Sequence, residues 1–374
     1  MQISLKDWVR SGSPWIWLSA SAVAISVVLV LGLLGIVASR GLVHFWPAKL
    51  QEYTYTETQG LQIQVLGEQV QREEVTAEQI RNSGIAVPEG VDLLGRQLIK
   101  VGNRDVYGSD FRWALENQLS NLDYPAYATS FERREQGNFY GFILAIKDKG
   151  QLVAEQEKGS NQLWPAVAER IEQTRLIQNK IEDLEKGAIG AINYKLEQLR
   201  LDERRLELKG EDTPENLAEL QAKRARFQTD YALLETELRA LYQSLATSSL
   251  RVVTADGQTK EINFSKIVRA YQPNNMSLGQ KIGHYFTKLW EFVSDDPREA
   301  NTEGGIFPAI FGTVMMVLIM SVLVTPFGVV TAVYLREYAR QGFITRVIRI
   351  AVNNLASVPS IVYGVFGLGF FVYF

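Results

Sequence analysis

The sequence predicts a membrane α-helical protein with a large α+β insert held outside the lipid, and an antiparallel coiled-coil hairpin within that insert. Three observations lead there. Long uncharged apolar runs lie near both ends of the chain, a 3,4 repeat of apolar residues lies in its middle, and alternating strand-like stretches lie on either side of that repeat. A mean hydropathy of -0.06 over 374 residues hides this division, because the apolar residues are concentrated rather than spread. Lys and Arg number 39 against 42 Asp and Glu, a net of -3, with no long basic tract. Nucleic acid is therefore excluded as a partner, since such binding rests on neutralising phosphates. The chain has no Cys and only two His, His44 and His284, so thiolate or imidazole metal sites, a cysteine nucleophile and a disulfide framework are all excluded. No cofactor is expected.

The first span is predicted at residues 15–40, after a cytoplasmic N-terminus at 1–14. Residues 15–37 carry no charge over 23 positions, about 35 Å of helix, enough to cross a hydrocarbon core. That run is too long for the apolar part of a signal peptide. The second span is predicted at 305–335. Its uncharged run of 30 residues exceeds what a perpendicular helix needs, so a tilt or a kink at Pro326 is expected. A third run begins at Val358 and is still apolar at Phe374, which predicts an incomplete third span at 358–374. Trp15, Trp17, Trp46 and Tyr334 sit where amphipathic rings anchor helices at the membrane border.

Orientation follows from the basic residues. Lys6 and Arg10 precede the first span, and Arg336, Arg340, Arg346 and Arg349 lie between the second and third, so both regions are expected to face the cytoplasm. Residues 41–300 hold 32 Lys plus Arg against 39 Asp plus Glu, while the remainder holds 7 against 3, and the acidic insert is expected on the other side. Residues 336–357 form an amphipathic segment in which Phe343, Val347, Ile350 and Leu355 recur at near-helical spacing. It is either an anchor on the cytoplasmic surface or part of a surface that meets a cytoplasmic subunit. Asn353 and Asn354 precede the third run, and polar amides there can bridge helices beside a Pro.

Within the insert, a β-rich part is predicted at 41–165, a helical hairpin at 166–248 and a β/helix return at 249–304. LQIQVL at 61–66, RQLIKV at 96–101 and NFYGFILAIKDKGQLVAE at 138–155 read as strands, with a turn at Asp148, Lys149 and Gly150. Asp256 and Gly257 mark a second hairpin. Leu217, Leu220, Arg224, Phe227, Tyr231, Leu234, Leu238, Leu241 and Leu245 form a heptad seam. Ile177, Ile181, Leu184, Ala188, Ile192, Leu196 and Leu199 form a looser one, with Gly187 and Gly190 in its middle. Gly210 stops the first helix, and Thr213 with Pro214 starts the second, so the two fold back on each other. Such an arm is a spacer or a docking surface; the spacing alone does not choose between them.

No GxxxxGK[ST] stretch is present, so the chain has no P-loop and is expected not to be an enzyme. The adjacent Asp295 and Asp296 read as a solvated face or helix cap rather than an acid/base dyad.

Four phrases carry a family resemblance: GLVHFWP at 41–47, PREANTEGGIFPAIFGT at 297–313, TPFGVVTAVYLREYA at 325–339 and VNNLASVPSIVYGVFGLGFF at 352–371. With them the chain resembles the PstA-type permease subunits of bacterial phosphate ABC importers, in an extended form with a large periplasmic insert. The motif positions are Gly304, Gly305, Pro308, Gly312, Thr313, Pro326, Gly328, Glu337, Tyr338, Asn354, Pro359, Ser360 and Gly364. The resemblance implies a MetI-like type I importer permease in the inner membrane, with residues 41–304 periplasmic. It also implies a homologous second permease, a cytoplasmic ATPase dimer that hydrolyses ATP, a periplasmic phosphate-binding protein and the lipid bilayer as partners. The family's ATPase-coupling loop and phosphate-path residues are expected beyond Phe374, which implies a fragment of a longer permease. A periplasmic adaptor of the membrane-fusion type shares one N-terminal span, β structure and a long helical hairpin, but it does not normally close with two further spans. A membrane-tethered sensor would need a cytoplasmic output module, and none is read here.

Overall fold

A computed structural model describes residues 11–57, 60–82, 90–299, 303–358 and 360–373, in two compact units, Met1–Gly305 and Ile306–Phe374. The first unit begins with helix α1, Ser13–Val43. Its side chains from Trp15 to Val43 are all exposed, and Arg40 is the only charge among them. The helix runs three residues past the predicted end of the span because nothing in the sequence breaks it before Pro47. Its closing turn is made by the His44 and Phe45 amides, which donate to the Gly41 and Leu42 carbonyls.

Two antiparallel sheets follow. The first takes β1 (Leu50–Thr56), β2 (Gln62–Thr76), β3 (Leu93–Lys100), β4 (Phe111–Leu115) and β5 (Leu119–Asp123), in the order β4-β3-β2-β1-β5. Helix α2 (Ala77–Asn82) follows β2, and the single turn α3 (Arg104–Tyr107) follows β3. The second sheet takes β6 (Thr129–Arg133), β7 (Phe139–Asp148), β8 (Gln151–Glu155), β9 (Ser248–Val253), β10 (Thr259–Asn263) and β11 (Ile267–Tyr271). Its order is β10-β9-β7-β6-β11, with β8 also on β7. The near-continuous apolar run of β7 is explained by its place in the middle of this sheet. Phe131, Phe139, Ile146, Leu250, Val252 and Phe264 close one core there, and Leu50, Leu66, Tyr140, Phe142 and Val253 join the two sheets in another. Asp148 pairs with Gln151 across the Lys149-Gly150 turn, and Val253 with Thr259 across the loop holding Asp256 and Gly257, so both predicted turns are present.

Asn103 stitches the sheets together. It is buried, has φ 54, and uses its side-chain amide as a strand would. Oδ1 accepts from the Tyr140 amide at 2.7 Å and Nδ2 donates to the Tyr140 carbonyl at 2.9 Å. Asn is one of the few side chains that tolerates a left-handed backbone while offering both a donor and an acceptor.

Between β8 and β9 the chain leaves the sheets as two helical arms. The outgoing arm is α4 (Trp164–Glu182), a π-helical stretch at Asp183–Ile189, and α5 (Gly190–Lys209). The returning arm is α6 (Pro214–Ala246). Every seam position from Leu217 to Leu245 is partly or fully buried, and apart from Asn216 the rest of α6 is exposed. The arms are antiparallel: Glu185 accepts from the Tyr242 hydroxyl at 2.8 Å, while Glu203 lies 3.4 Å from Arg224. The looser seam has a structural reason. From Leu184 to Leu196 its apolar residues are spaced by four three times running, and the π turn absorbs the surplus residue that a plain α-helix would rotate off the seam. Gly210, at φ 68, closes the outgoing arm, and Thr213 caps the return by accepting from the Asn216 amide. The base of the arms is tied in by Val167, which is fully buried in the second-sheet core, and by Gln178 donating to the Ser265 carbonyl.

After β11 come α7 (Leu278–Ser294) and a short ribbon of β12 (Pro297–Arg298) against β13 (Glu303–Gly304). The second unit consists of α8 (Phe307–Val333) with a π turn at Tyr334–Tyr338, α9 (Phe343–Ser357) and α10 (Ser360–Tyr373). Only α1 and α8 with its π turn are long and apolar enough to cross a membrane among the described residues. At 14 residues α10 is about 21 Å long and falls short of that length.

Candidate functional site

The most built-up polar site in the first unit is a cavity of about 480 Å³ beneath α7, a volume typical of small-molecule sites. Its walls come from the residues just after α1, the near face of α7, the middle of β2, the end of β3, and β6 and β11. Glu132 on β6 is buried and accepts from Lys288 Nζ, which lies 3.7 Å from Glu291. Arg269 donates to Glu291 from β11. Burial alone would raise the Glu132 carboxyl, but Lys288 and Arg269 outweigh it and hold the group below the usual carboxylate range. His284, with its ring 4.5 Å from that of Tyr271, is pushed down to about 4, mainly by burial, and is neutral at ordinary pH. Glu68 moves the other way. Burial raises its carboxyl, and Lys100 offsets this only in part.

These groups form an ionic clasp. Lys288 is matched to Glu132 and Arg269 to Glu291, and among the described residues no group of three or more His, Asp or Glu side chains could hold a metal ion. Four carboxylates, Glu68, Asp110, Glu132 and Glu291, and four cations, Lys100, Arg104, Lys288 and Arg298, line the cavity. Sequence reading missed the clasp because its partners are far apart in the chain: Lys288 and Glu132 are separated by 156 residues. The one signal available was the set of charges on an otherwise apolar helix at 278–294.

The motif positions divide between the two units. Gly304 and Gly305 end the first unit and are sterically required. Gly304 has φ 92, and a Cβ on Gly305 would fall inside contact distance of the Asp295 carbonyl oxygen and 2.7 Å from the Glu291 carbonyl. The same phrase is held by Arg104, whose guanidinium reaches Asp110 at 2.8 Å and Glu299 at 3.3 Å, and Glu299 also accepts from the Gly137 amide. Asp295 is the cap residue of α7 and Asp296 lies 3.8 Å from Lys186.

In the second unit Pro308 stands in the first turn of α8. Thr313 Oγ1 donates to the Ile310 carbonyl at 2.8 Å. The helix continues through Pro326, which frees the Val322 carbonyl, while Thr325 donates back to Ser321. Added Cβ atoms on Gly312, Gly328 and Gly364 would meet nothing within 4 Å. Glu337 and Tyr338 sit in the π turn, with Glu337 3.5 Å from Arg336. Arg336, Arg340, Arg346, Arg349 and Asn354 are exposed. Ser360 opens α10, and Pro359 lies outside the described residues.

Comparison with known proteins relates part of the chain to permease subunits. It is 39% identical over 64 residues to the phosphate transport system permease protein PstA of Pasteurella multocida, covering 17% of this chain and 23% of that protein. It is 44% identical over 63 residues to the phosphate transport system permease protein PstA 1 of Mycobacterium tuberculosis, 17% of this chain and 20% of that one. It is also 34% identical over 83 residues to the probable ABC transporter permease protein YqgI of Bacillus subtilis, 22% and 28% respectively. The chain thus spans about a quarter of the length of the curated relatives it matches. No protein-family model matches it, and no solved structure does.

Proposed function

We propose that this chain is a permease subunit of an ATP-driven inorganic phosphate importer and forms part of the translocation wall in a bacterial inner membrane. The observation that carries the reading is the similarity to several PstA permeases in a chain that also has two helices of membrane-crossing length and composition. In this reading α1, α8 and α10 enter the lipid, the body between α1 and α8 is periplasmic, and α9 lies on the cytoplasmic surface with Arg346 and Arg349 toward water. A homologous permease completes the wall, a periplasmic binding protein delivers phosphate, and a separate ATPase dimer supplies the energy. Alternating access then arises from rocking of helices against the second permease, with Pro326 as the flex point. Gly312, Gly328 and Gly364, open in the single chain, are suited to close helix contacts in that assembly. The helical arms are a spacer or a docking surface for the binding protein.

The test is uptake of labelled phosphate by cells carrying the complete locus, with and without this gene. Loss of high-affinity uptake on deletion, restored by the gene, is expected, together with copurification of a nucleotide-binding subunit. Unchanged uptake removes the assignment.

A further inference from the structure

We infer that α7 is an interfacial helix, bedded lengthwise in the outer face of the same lipid bilayer that α1 crosses. The inference rests on α1 being a membrane span and adds a second, non-spanning contact between the first unit and the lipid. Its first support is an inverted distribution of polarity. On a helix at the surface of a water-soluble domain, charged side chains face out and apolar ones face in. On α7 the reverse holds. Its exposed residues are Leu278, Gly279, Gln280, Ile282, Gly283, Phe286, Thr287, Trp290 and Val293, with no charge among them. Lys281, His284, Lys288 and Glu291 are withdrawn from that face, the last three lining the cavity beneath the helix. The large apolar members recur at spacings of four, four, four and three, a single stripe along the helix, and Phe286 and Trp290 are 62% and 71% exposed.

The second support is position. Phe45 and Trp46 follow α1 directly, where an apolar helix leaves the hydrocarbon. The Phe45 ring lies 5.2 Å from Phe292 and 6.4 Å from Tyr285, and the Trp46 ring 6.2 Å from Tyr285. Residues of α7 are therefore side by side with the exit point of a membrane-crossing helix, at the depth where amphipathic helices settle about 5–10 Å into the headgroup boundary. Trp and Tyr are enriched at that boundary, and the helix presents Trp290 outward with Tyr285 beside Trp46. The Ser277–Gln280 capping box starts the helix without an acidic residue in its first turn. The occupant is thus a bilayer rather than a soluble protein, since the stripe matches the surface of α1 in chemistry and lies on a helix whose Tyr285 and Phe292 pack against the residues that follow α1.

The native chain has no Cys, so single-Cys variants of the full chain can carry an environment-sensitive fluorophore. Phe286→Cys, Ile282→Cys and Trp290→Cys probe the stripe, Val28→Cys the middle of α1, and Leu208→Cys the far end of the helical arms. Each is reconstituted into phosphatidylethanolamine/phosphatidylglycerol vesicles containing lipid spin-labelled either near the headgroup or at the chain end. Labels at 282, 286 and 290 are expected to be quenched more by the shallow probe than by the deep one. The label at 28 should favour the deep probe, and the label at 208 should respond only to iodide in water. Stripe labels that behave like the one at 208, or that are shielded from lipid and iodide alike by protein, overturn the inference while the α1 reading stands. A label at 28 that lipid probes do not quench removes the membrane span itself, and the inference with it.

Discussion

Replacing Gly305 by Ala sets a steric demand that the structure allows to be sized. The new Cβ would lie within contact distance of the Asp295 carbonyl oxygen, 2.6 Å from its carbon and 2.7 Å from the Glu291 carbonyl oxygen. These are backbone atoms of the C-terminal turn of α7, where the Asp295 amide donates to that same Glu291 carbonyl at 2.9 Å. No side chain can rotate away, so the backbone must move. Overpacking of this kind costs about 1–3 kcal/mol, and movement also loosens the Gly305 amide bond to the Asp296 carbonyl, worth about 1 kcal/mol. The expected loss is about 2–4 kcal/mol, or roughly 5–15 °C in Tm for a domain of this size. Thermal unfolding of the purified full chain in detergent, followed by tryptophan fluorescence, measures it. Gly312→Ala is the matched control, because its Cβ meets nothing within 4 Å and should shift stability by no more than about 0.5 kcal/mol. Equal melting of the two variants would refute the assignment of Gly305 to packing and of Gly312 to contacts made only in an assembly.

Three further outcomes follow from the first unit. Asn103→Ala leaves the buried Tyr140 amide and carbonyl without their side-chain partner and should cost about 3–5 kcal/mol, with Asn103→Gly roughly 1 kcal/mol milder because it accepts the left-handed backbone; chemical denaturation ranks them. Asp105→Asn removes the negative partner of the buried Arg133 guanidinium, which is bonded to both carboxylate oxygens at 3.0 and 3.1 Å and keeps only the Gly137 and Gln136 carbonyls, and should destabilise by about 1.5–3 kcal/mol in the same assay. His284 has a folded-state value near 4 against 6.5 for the unfolded side chain. The unfolded chain therefore binds the extra proton first, and the contribution, complete above pH 6.5, is lost as pH falls toward 4. After solvent screening that loss is on the order of 1–2 kcal/mol. Unfolding midpoints across that range should lose this part of their slope in His284→Gln, with Glu132, Arg269, Lys288 and Glu291 retained around the site.

What could be read in the sequence was whatever rests on local periodicity. The seam of α6 needed only the spacing from Leu217 to Leu245, and the β7–β8 hairpin only Asp148-Lys149-Gly150 between apolar runs. Pairings that close over long chain distances were not legible. β11 finds β6 across the entire helical excursion, joining Tyr271 to Ser130, and neither strand announces its partner. Polar residues with structural duties were also hidden, because nothing in the sequence distinguishes Asn103 or Glu132 from a surface residue until the fold buries it. The motif glycines were visible as a phrase but not by purpose. The structure separates Gly304 and Gly305, which serve a tight ribbon, from Gly312, Gly328 and Gly364, whose surroundings are open within the single chain.

Sidedness is the point on which the functional account turns, and the cysteine-free chain makes it directly measurable. In Gly150→Cys and Gln341→Cys variants expressed in whole cells, a membrane-impermeant maleimide should label position 150 at once and position 341 only after permeabilisation. Labelling of both positions in intact cells, of neither, or of 341 alone would contradict an external sheet-and-arm body joined through α8 to a cytoplasmic turn.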